Sequence, residues 1–373
     1  MRTFIPLISS IWLGIIFSGS SPAAAFPSNL EWLNFTSRLY VFAVAEEGKY
    51  LWIGTGGGLI RLNRESGEEV FYNSANSGLP DNTVHAVVID RYGNKWIGTE
   101  GGLAKFDGES WTVYTTDNSG IPGNRIWSLA VDSRGCLWVG TMRNGVARFN
   151  GEGWEVYRTE NSPLLQNWVL CIVEDSLGNI WIGTHGGGLA KFDGESWTVY
   201  TPNNSELPHD IVKDVVEDPQ GNIWIGTEYK GLVKFDGENW EVYNRSNSGM
   251  PRTRVDVLEL DSKGNLWIGI EGTGLVRFDR KKGWAVYNKD NSGLSHNGVI
   301  SLFIDSQDVI WVGTFGGGLI EFDKGNWRIH TLGDRLELPD NYITSIAADI
   351  FGNIWIGTFE GISKFDGRTW TVY

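Results

Sequence analysis

Residues 82–115 read NTVHAVVIDRYGNKWIGTEGGLAKFDGESWTVYT, and this stretch decides the fold. Val84 to Asp90 is apolar and β-branched, which predicts a strand. Arg91-Tyr92-Gly93-Asn94 is a turn, and Lys95 to Thr99 is a second strand. Glu100-Gly101-Gly102 is a tight loop, Leu103 to Asp107 a third strand, Gly108-Glu109 a turn and Trp111 to Thr115 a fourth strand. Asn118-Ser119-Gly120-Ile121-Pro122 then leads into a similar unit. Four short antiparallel strands in ~40–45 residues are the pattern of a β-propeller blade.

The unit recurs along the chain. Trp-Ile/Val-Gly stands at Trp52, Trp96, Trp138, Trp181, Trp224, Trp267, Trp311 and Trp355, with gaps of 42 to 44 residues. A motif of the Trp-Thr-Val-Tyr kind begins at Trp111, Trp154, Trp197, Trp240, Trp284, Trp327 and Trp370, so 15 of the 19 Trp belong to the frame. The expectation is one all-β domain, an eight-bladed β-propeller of four-stranded antiparallel blades. Seven blades with an orphan unit is the alternative. The inner strands are apolar on both faces, as a blade sandwiched between neighbours requires. Each Trp-Ile-Gly indole should lie between blades, and Gly98 should allow close backbone approach.

Three segments are expected. Residues 1–25 read as a secretory signal peptide: Arg2, a largely apolar run from Phe4 to Phe17, then small residues ending in Ala23-Ala24-Ala25. Residues 26–37 contain Glu31-Trp32-Leu33-Asn34-Phe35-Thr36, which resembles Trp111 to Thr115 and reads as a strand closing the ring. Residues 38–373 are the propeller, whose first unit has a degenerate outer strand, Glu69-Val70-Phe71-Tyr72. No later segment could span a membrane as an apolar helix. A net charge of −14 argues against a nucleic-acid partner. Cys136 and Cys171 lie in neighbouring repeats and are expected to be free, mostly buried thiols.

Asn76-Ser-Gly-Leu-Pro-Asp-Asn-Thr-Val84, Gly93-Asn-Lys-Trp-Ile-Gly-Thr99 and Gly102-Leu-Ala-Lys-Phe-Asp107 closely resemble the two-component regulator propeller repeat. The resemblance covers nearly everything after residue 38. It implies an exported ligand-binding sensor, periplasmic or extracellular, often for oligosaccharide fragments, with a membrane sensor kinase as a protein partner. The chain carries no kinase, no immunoglobulin-like domain and no spanning helix after the propeller. It therefore reads as a free-standing binding module, or as a sensor that signals through a partner.

Chemistry is expected where the repeats differ, at the mouth of the central channel. The slots just before and after the Val/Ile that opens each inner strand, and the slot after Gly-Thr, vary while their flanks do not. Trp127 and Trp168 are the Trp after residue 25 that stand outside repeat-like positions. Together with Phe315, Tyr342 and Phe359 they would make a wall for stacking on a sugar. Arg125, Arg254, Glu100, Glu228 and His185 would supply hydrogen bonds.

Other signals point to structure. The acids of Asp-x-x-Gly turns (Asp90, Asp132, Asp175, Asp218, Asp261) are expected to cap hairpins, since they lack the alternating acids of a calcium loop. Gly54 to Gly58 mimics a phosphate loop, but a strand follows it and no helix. The five His show no ligand spacing, and His330 replaces the frame Tyr, so no metal or cofactor is expected. Two other readings remain. Streptogramin lyase is also a propeller with a Trp-containing repeat, and His185, Glu228 and Glu271 occupy similar slots here. A scaffold for protein partners is the other.

Overall fold

The computed structural model describes residues 41–373, apart from residues 64, 65, 67, 271, 306, 333–336, 350 and 373. The expected signal peptide and the expected closing strand at 26–37 lie outside the described residues. The rest is an all-β, eight-bladed propeller of four-stranded antiparallel sheets. The blades span residues 41–72, 84–114, 126–157, 169–200, 212–243, 257–287, 299–330 and 343–372, called blades 1 to 8. Within each blade, sequence order is spatial order. Blade 2 runs Val84–Ile89, Lys95–Thr99, Leu103–Phe106 and Trp111–Tyr114, close to the predicted bounds. Trp370–Val372 keeps its place as the outer strand of blade 8.

The first strand of every blade lies innermost and touches the first strands of both neighbours. Val41–Glu47 of blade 1 meets Ile343–Ala348 of blade 8, so the ring is closed and the count is eight. Among the described residues no helix is long and apolar enough to cross a membrane.

The frame Trp does two jobs. Its indole packs between blades in an aromatic group of four. Trp52 stacks with Tyr72 of its own blade at 5.9 Å and meets Phe106 of the next blade edge-on at 5.7 Å, while Trp111 closes on Phe106 at 4.6 Å. The same group recurs at each following junction, with His330 in place of Tyr at the junction of blades 7 and 8. His330 is also held by Glu337 at 2.8 Å, which confirms its structural role. The junction that closes the ring is different. There, among the described residues, Trp355 packs in a cluster with Leu51, Ile53, Ile60 and Leu62, with Phe71 beside them.

The second job is a hydrogen bond. Trp181 Nε1 donates to Asp175 Oδ2 at 2.8 Å, and Asp175 Oδ1 accepts the backbone N–H groups of Leu177 and Asn179. One carboxylate thus folds the hairpin turn and satisfies the indole, as expected of the turn acids. Blades 2 to 8 all use it. The glycine of Trp-Ile-Gly is required by the neighbour: a Cβ on Gly98 would lie 2.6 Å from Ile126 Cγ2 of the next blade. Cys136 and Cys171 are free, the first buried and the second partly buried.

Two stability outcomes follow. Trp181→Ala should cost ~3–5 kcal/mol in urea unfolding, through the cavity left between blades 4 and 5. Asp175→Ala should cost at least ~1–3 kcal/mol, because it strands a buried indole N–H and unpins the turn. Equal unfolding midpoints for Asp175→Ala and the parent would show that the turn acid is dispensable.

Candidate functional site

Both ends of the strands carry loops, but one face is built differently from the other. It bears the starts of the innermost strands and the loops after Gly-Thr. At the start of the first strand seven blades have a register shift. In blade 2, Val84 pairs with Thr99 and Ala86 with Gly98, so His85 is an extra residue with no cross-strand partner. Trp127, Leu170, Lys213, Ile300 and Thr344 are the same extra residue in blades 3, 4, 5, 7 and 8. A bulge of this kind re-aims a side chain without disturbing the ladder beyond it.

The slots on either side are clasped within their blade. The residue after Gly-Thr donates its N–H to the carbonyl just before the first strand: Met142 to Arg125 at 3.1 Å, His185 to Trp168 at 3.0 Å, Glu228 to Ile211 at 3.1 Å and Phe315 to Gly298 at 2.9 Å. The threonine hydroxyl holds the loop itself, as Thr184 Oγ1 does by donating to Gly188 O at 2.8 Å.

The ten expected site residues share this face but form four groups. In the first, Glu100 accepts from His85 at 2.7 Å and from the Arg125 guanidinium, and the Trp127 ring lies 4.8 Å from His85. In the second, Trp168 stacks on His185 at 4.3 Å and 13°, with Arg143 5.9 Å from the indole. In the third, Arg254 and Lys213 each lie 3.3 Å from Glu228 and also bind Asp256, at 2.7 and 3.2 Å. In the fourth, Tyr342 meets Phe315 edge-on at 4.9 Å and stacks on Phe359 at 5.1 Å and 5°.

The aromatic residues expected to form one wall fall instead into three groups: Trp127 beside His85, Trp168 on His185, and Phe315 and Phe359 about Tyr342. The charged part of the expectation differs too. Arg125, Glu100, Arg254 and Glu228 engage one another, because opposite charges stand on adjacent slots and bulges. His85, Lys213, Asp256 and Arg143 belong to these groups as well. The first three fall in slots that vary between repeats, which was the signal for them. Arg143 lies one residue beyond such a slot and left none. Glu271 lies outside the described residues. Among the described residues, no three His, Cys, Asp or Glu side chains converge as metal ligands.

Electrostatics sharpen the picture. Hydrogen bonds from His85 and then Arg125 hold the Glu100 carboxyl at about 2. Next to Lys213 on the same strand, burial pushes Asp214 up to about 7, although it accepts N–H bonds from Leu258 and Val215 at 2.9 Å. Burial, with Asp214 adding, pushes Glu259 up to about 8. A carboxyl raised in the folded state keeps its proton while the unfolded chain loses it, so stability falls as pH rises from about 4 to about 7. Asp214→Asn should therefore melt higher than the parent near pH 8, with the gap closing toward pH 4. An unchanged gap across that range would contradict the assignment.

The two component regulator propeller model matches residues 78–101, 120–143, 163–186, 206–229, 293–316 and 337–360. Each match runs from the connecting loop through the first two strands of blades 2, 3, 4, 5, 7 and 8. Blade 6 is unmatched and has Ile270 where the others have the loop-holding Thr. No curated protein matches the sequence. Among solved structures, the chain is similar to PorZ, an essential surface component of the type-IX secretion system of Porphyromonas gingivalis (19% identity, 87% of this chain, 52% of that chain, TM-score 0.61). It is similar to a streptogramin B lyase (14% identity, 79% of this chain, 95% of that chain, TM-score 0.56). A third is the extracellular domain of a proposed hybrid two-component system of B. thetaiotaomicron (24% identity, 88% of this chain, 50% of that chain, TM-score 0.40). The chain spans about half the length of the first and third of these. The first two likenesses carry the propeller fold, and six of the eight blades carry the two component regulator propeller repeat.

Proposed function

We propose that the chain is an exported, sensor-type propeller that binds a small polar ligand, such as an oligosaccharide, at the channel mouth. Binding is without turnover, and the signal passes to a two-component partner such as a membrane sensor kinase. The observation that carries the reading is the Trp168–His185 stack, with its parallel counterpart Tyr342–Phe359 across the same face. Flat rings at the rim of a concave site are what a sugar ring stacks on, with charged groups beside them to read its hydroxyls. The frame does not need these rings, since the same slots elsewhere hold Met142 and Ile211.

The ion pairs favour binding over catalysis. Glu228 is engaged by Lys213 and Arg254, so its carboxylate is poorly placed to act as a general base beside His185.

The test is a thermal-shift screen of the chain against a panel of oligosaccharides, followed by calorimetry on any hit. A ligand at ~100 times its dissociation constant adds ~2.7 kcal/mol, enough to move the transition visibly. Trp168→Ala should weaken a true mouth ligand by about tenfold or more, the worth of one good aromatic contact. A hit that binds Trp127→Ala/Trp168→Ala as tightly as the parent would remove the mouth from the proposal.

A further inference from the structure

The opposite face carries the hairpin turns, and blade 1 breaks the pattern there. Every other blade joins its first two strands through an acid-capped turn, five residues long in blade 2 between Ile89 and Lys95. Blade 1 pairs Glu47 directly with Tyr50, leaving a two-residue turn of Gly48 and Lys49. Glu47 takes over the capping acid's task, accepting from Trp52 Nε1 at 2.9 Å. The short turn leaves a cavity of about 480 Å³ between blades 1 and 2, a size that suits a small ligand.

Its floor holds a second departure. Before the frame Trp, seven blades place a buried Leu or Ile; blade 2 places Lys95, which is only 4% exposed. The ammonium sits 5.0 Å from the Trp52 ring, 2.7 Å from Glu47 Oε1 and 2.8 Å from Gly93 O. A buried ion pair is seldom more stabilising than the aliphatic residue it replaces, so the ring itself does not account for it.

The charges around the cavity do not cancel. Both Glu47 oxygens are taken, by Lys95 and Trp52. Asp107 accepts the N–H groups of Glu109 and Ser110 on Oδ1 at 2.9 and 2.8 Å, and the two carboxylates, Glu47 and Asp107, face three cations, Lys49, Arg61 and Lys95. Lys49 and Arg61 lie over the Tyr50 ring at 5.4 and 5.0 Å, and among the described residues no carboxylate pairs with either. Tyr92 stands 75% exposed at the rim. On a chain with a net charge of −14, this is a locally cationic recess with aromatic sides.

We propose that this recess is a second binding site, for a small ring-bearing carboxylate. Arg61 and Lys49 receive the carboxylate through charge-assisted hydrogen bonds, and the exposed Tyr92 ring receives the flat face of the ligand's ring. Sugar acids and aromatic acids share that chemistry. It is independent of the channel mouth, which lies at the other ends of the strands.

The experiment is calorimetry and ligand-observed NMR on the full chain with galacturonate, benzoate and neutral galactose. The expected result is binding of one or both acids and none of galactose, with the acid that binds naming the source. Lys49→Ala/Arg61→Ala should weaken that binding by about tenfold or more, as loss of charged hydrogen bonds does. Tyr92→Ala, at an exposed position that cannot unfold the ring, should weaken it too. Trp168→Ala at the mouth should leave it unchanged. Failure of both acids to bind, galactose binding as tightly as galacturonate, unaltered affinity in the double variant with a parental melting temperature, or loss of binding in Trp168→Ala would each overturn the proposal.

Discussion

The indole of the Trp-Ile/Val-Gly motif is the interaction on which everything else rests. A four-stranded blade has two apolar faces and cannot bury either alone. The indole joins one blade to the next through the aromatic group of four, and its N–H reaches the acid that folds its own hairpin. Lateral packing and local turn geometry are thereby set by one side chain. Seven of the eight junctions are built this way. At the eighth, between blades 8 and 1, the described residues put Trp355 among leucines and isoleucines.

A frame this redundant leaves its two ends free to differ. At the channel mouth the variable side chains stand on bulges, and the backbone clasp beside each bulge repeats regardless of which residue makes it. The result is local: His85 with Glu100, Trp168 with His185, Lys213 with Glu228 and Tyr342 with Phe359. Each group sits within one blade or two adjacent blades. A ligand that touched several of them would have to bridge the mouth.

Most of the frame was legible in the sequence because the same residues recur at a fixed spacing. The Trp period gave the blades, and Asp-x-x-Gly gave the turns with their caps. Eight blades against seven was settled by the contact of Val41–Glu47 with Ile343–Ala348, a pairing that no local pattern encodes. The site was half legible. Variation between repeats marked the slots that face the mouth, but it could not say which side chains would pair. Arg125 and Arg254 read as free hydrogen-bond donors; in the fold each meets a carboxylate presented by another loop. Lys95 read as an ordinary strand residue. Its meaning depends on the three-residue shortening of the turn in the neighbouring blade, which brings Glu47 beside it.

The bulge has a consequence for how such a ring can change. The extra residue belongs to no rung of the ladder, so exchanging it leaves the strand register unchanged. His85, Trp127, Leu170, Lys213, Ile300 and Thr344 are chemically unrelated, yet they occupy one backbone geometry. Duplicating a blade therefore duplicates a socket whose occupant can drift alone. Recognition in this architecture is inherited as a position and rewritten one residue at a time, with the register of the strands kept.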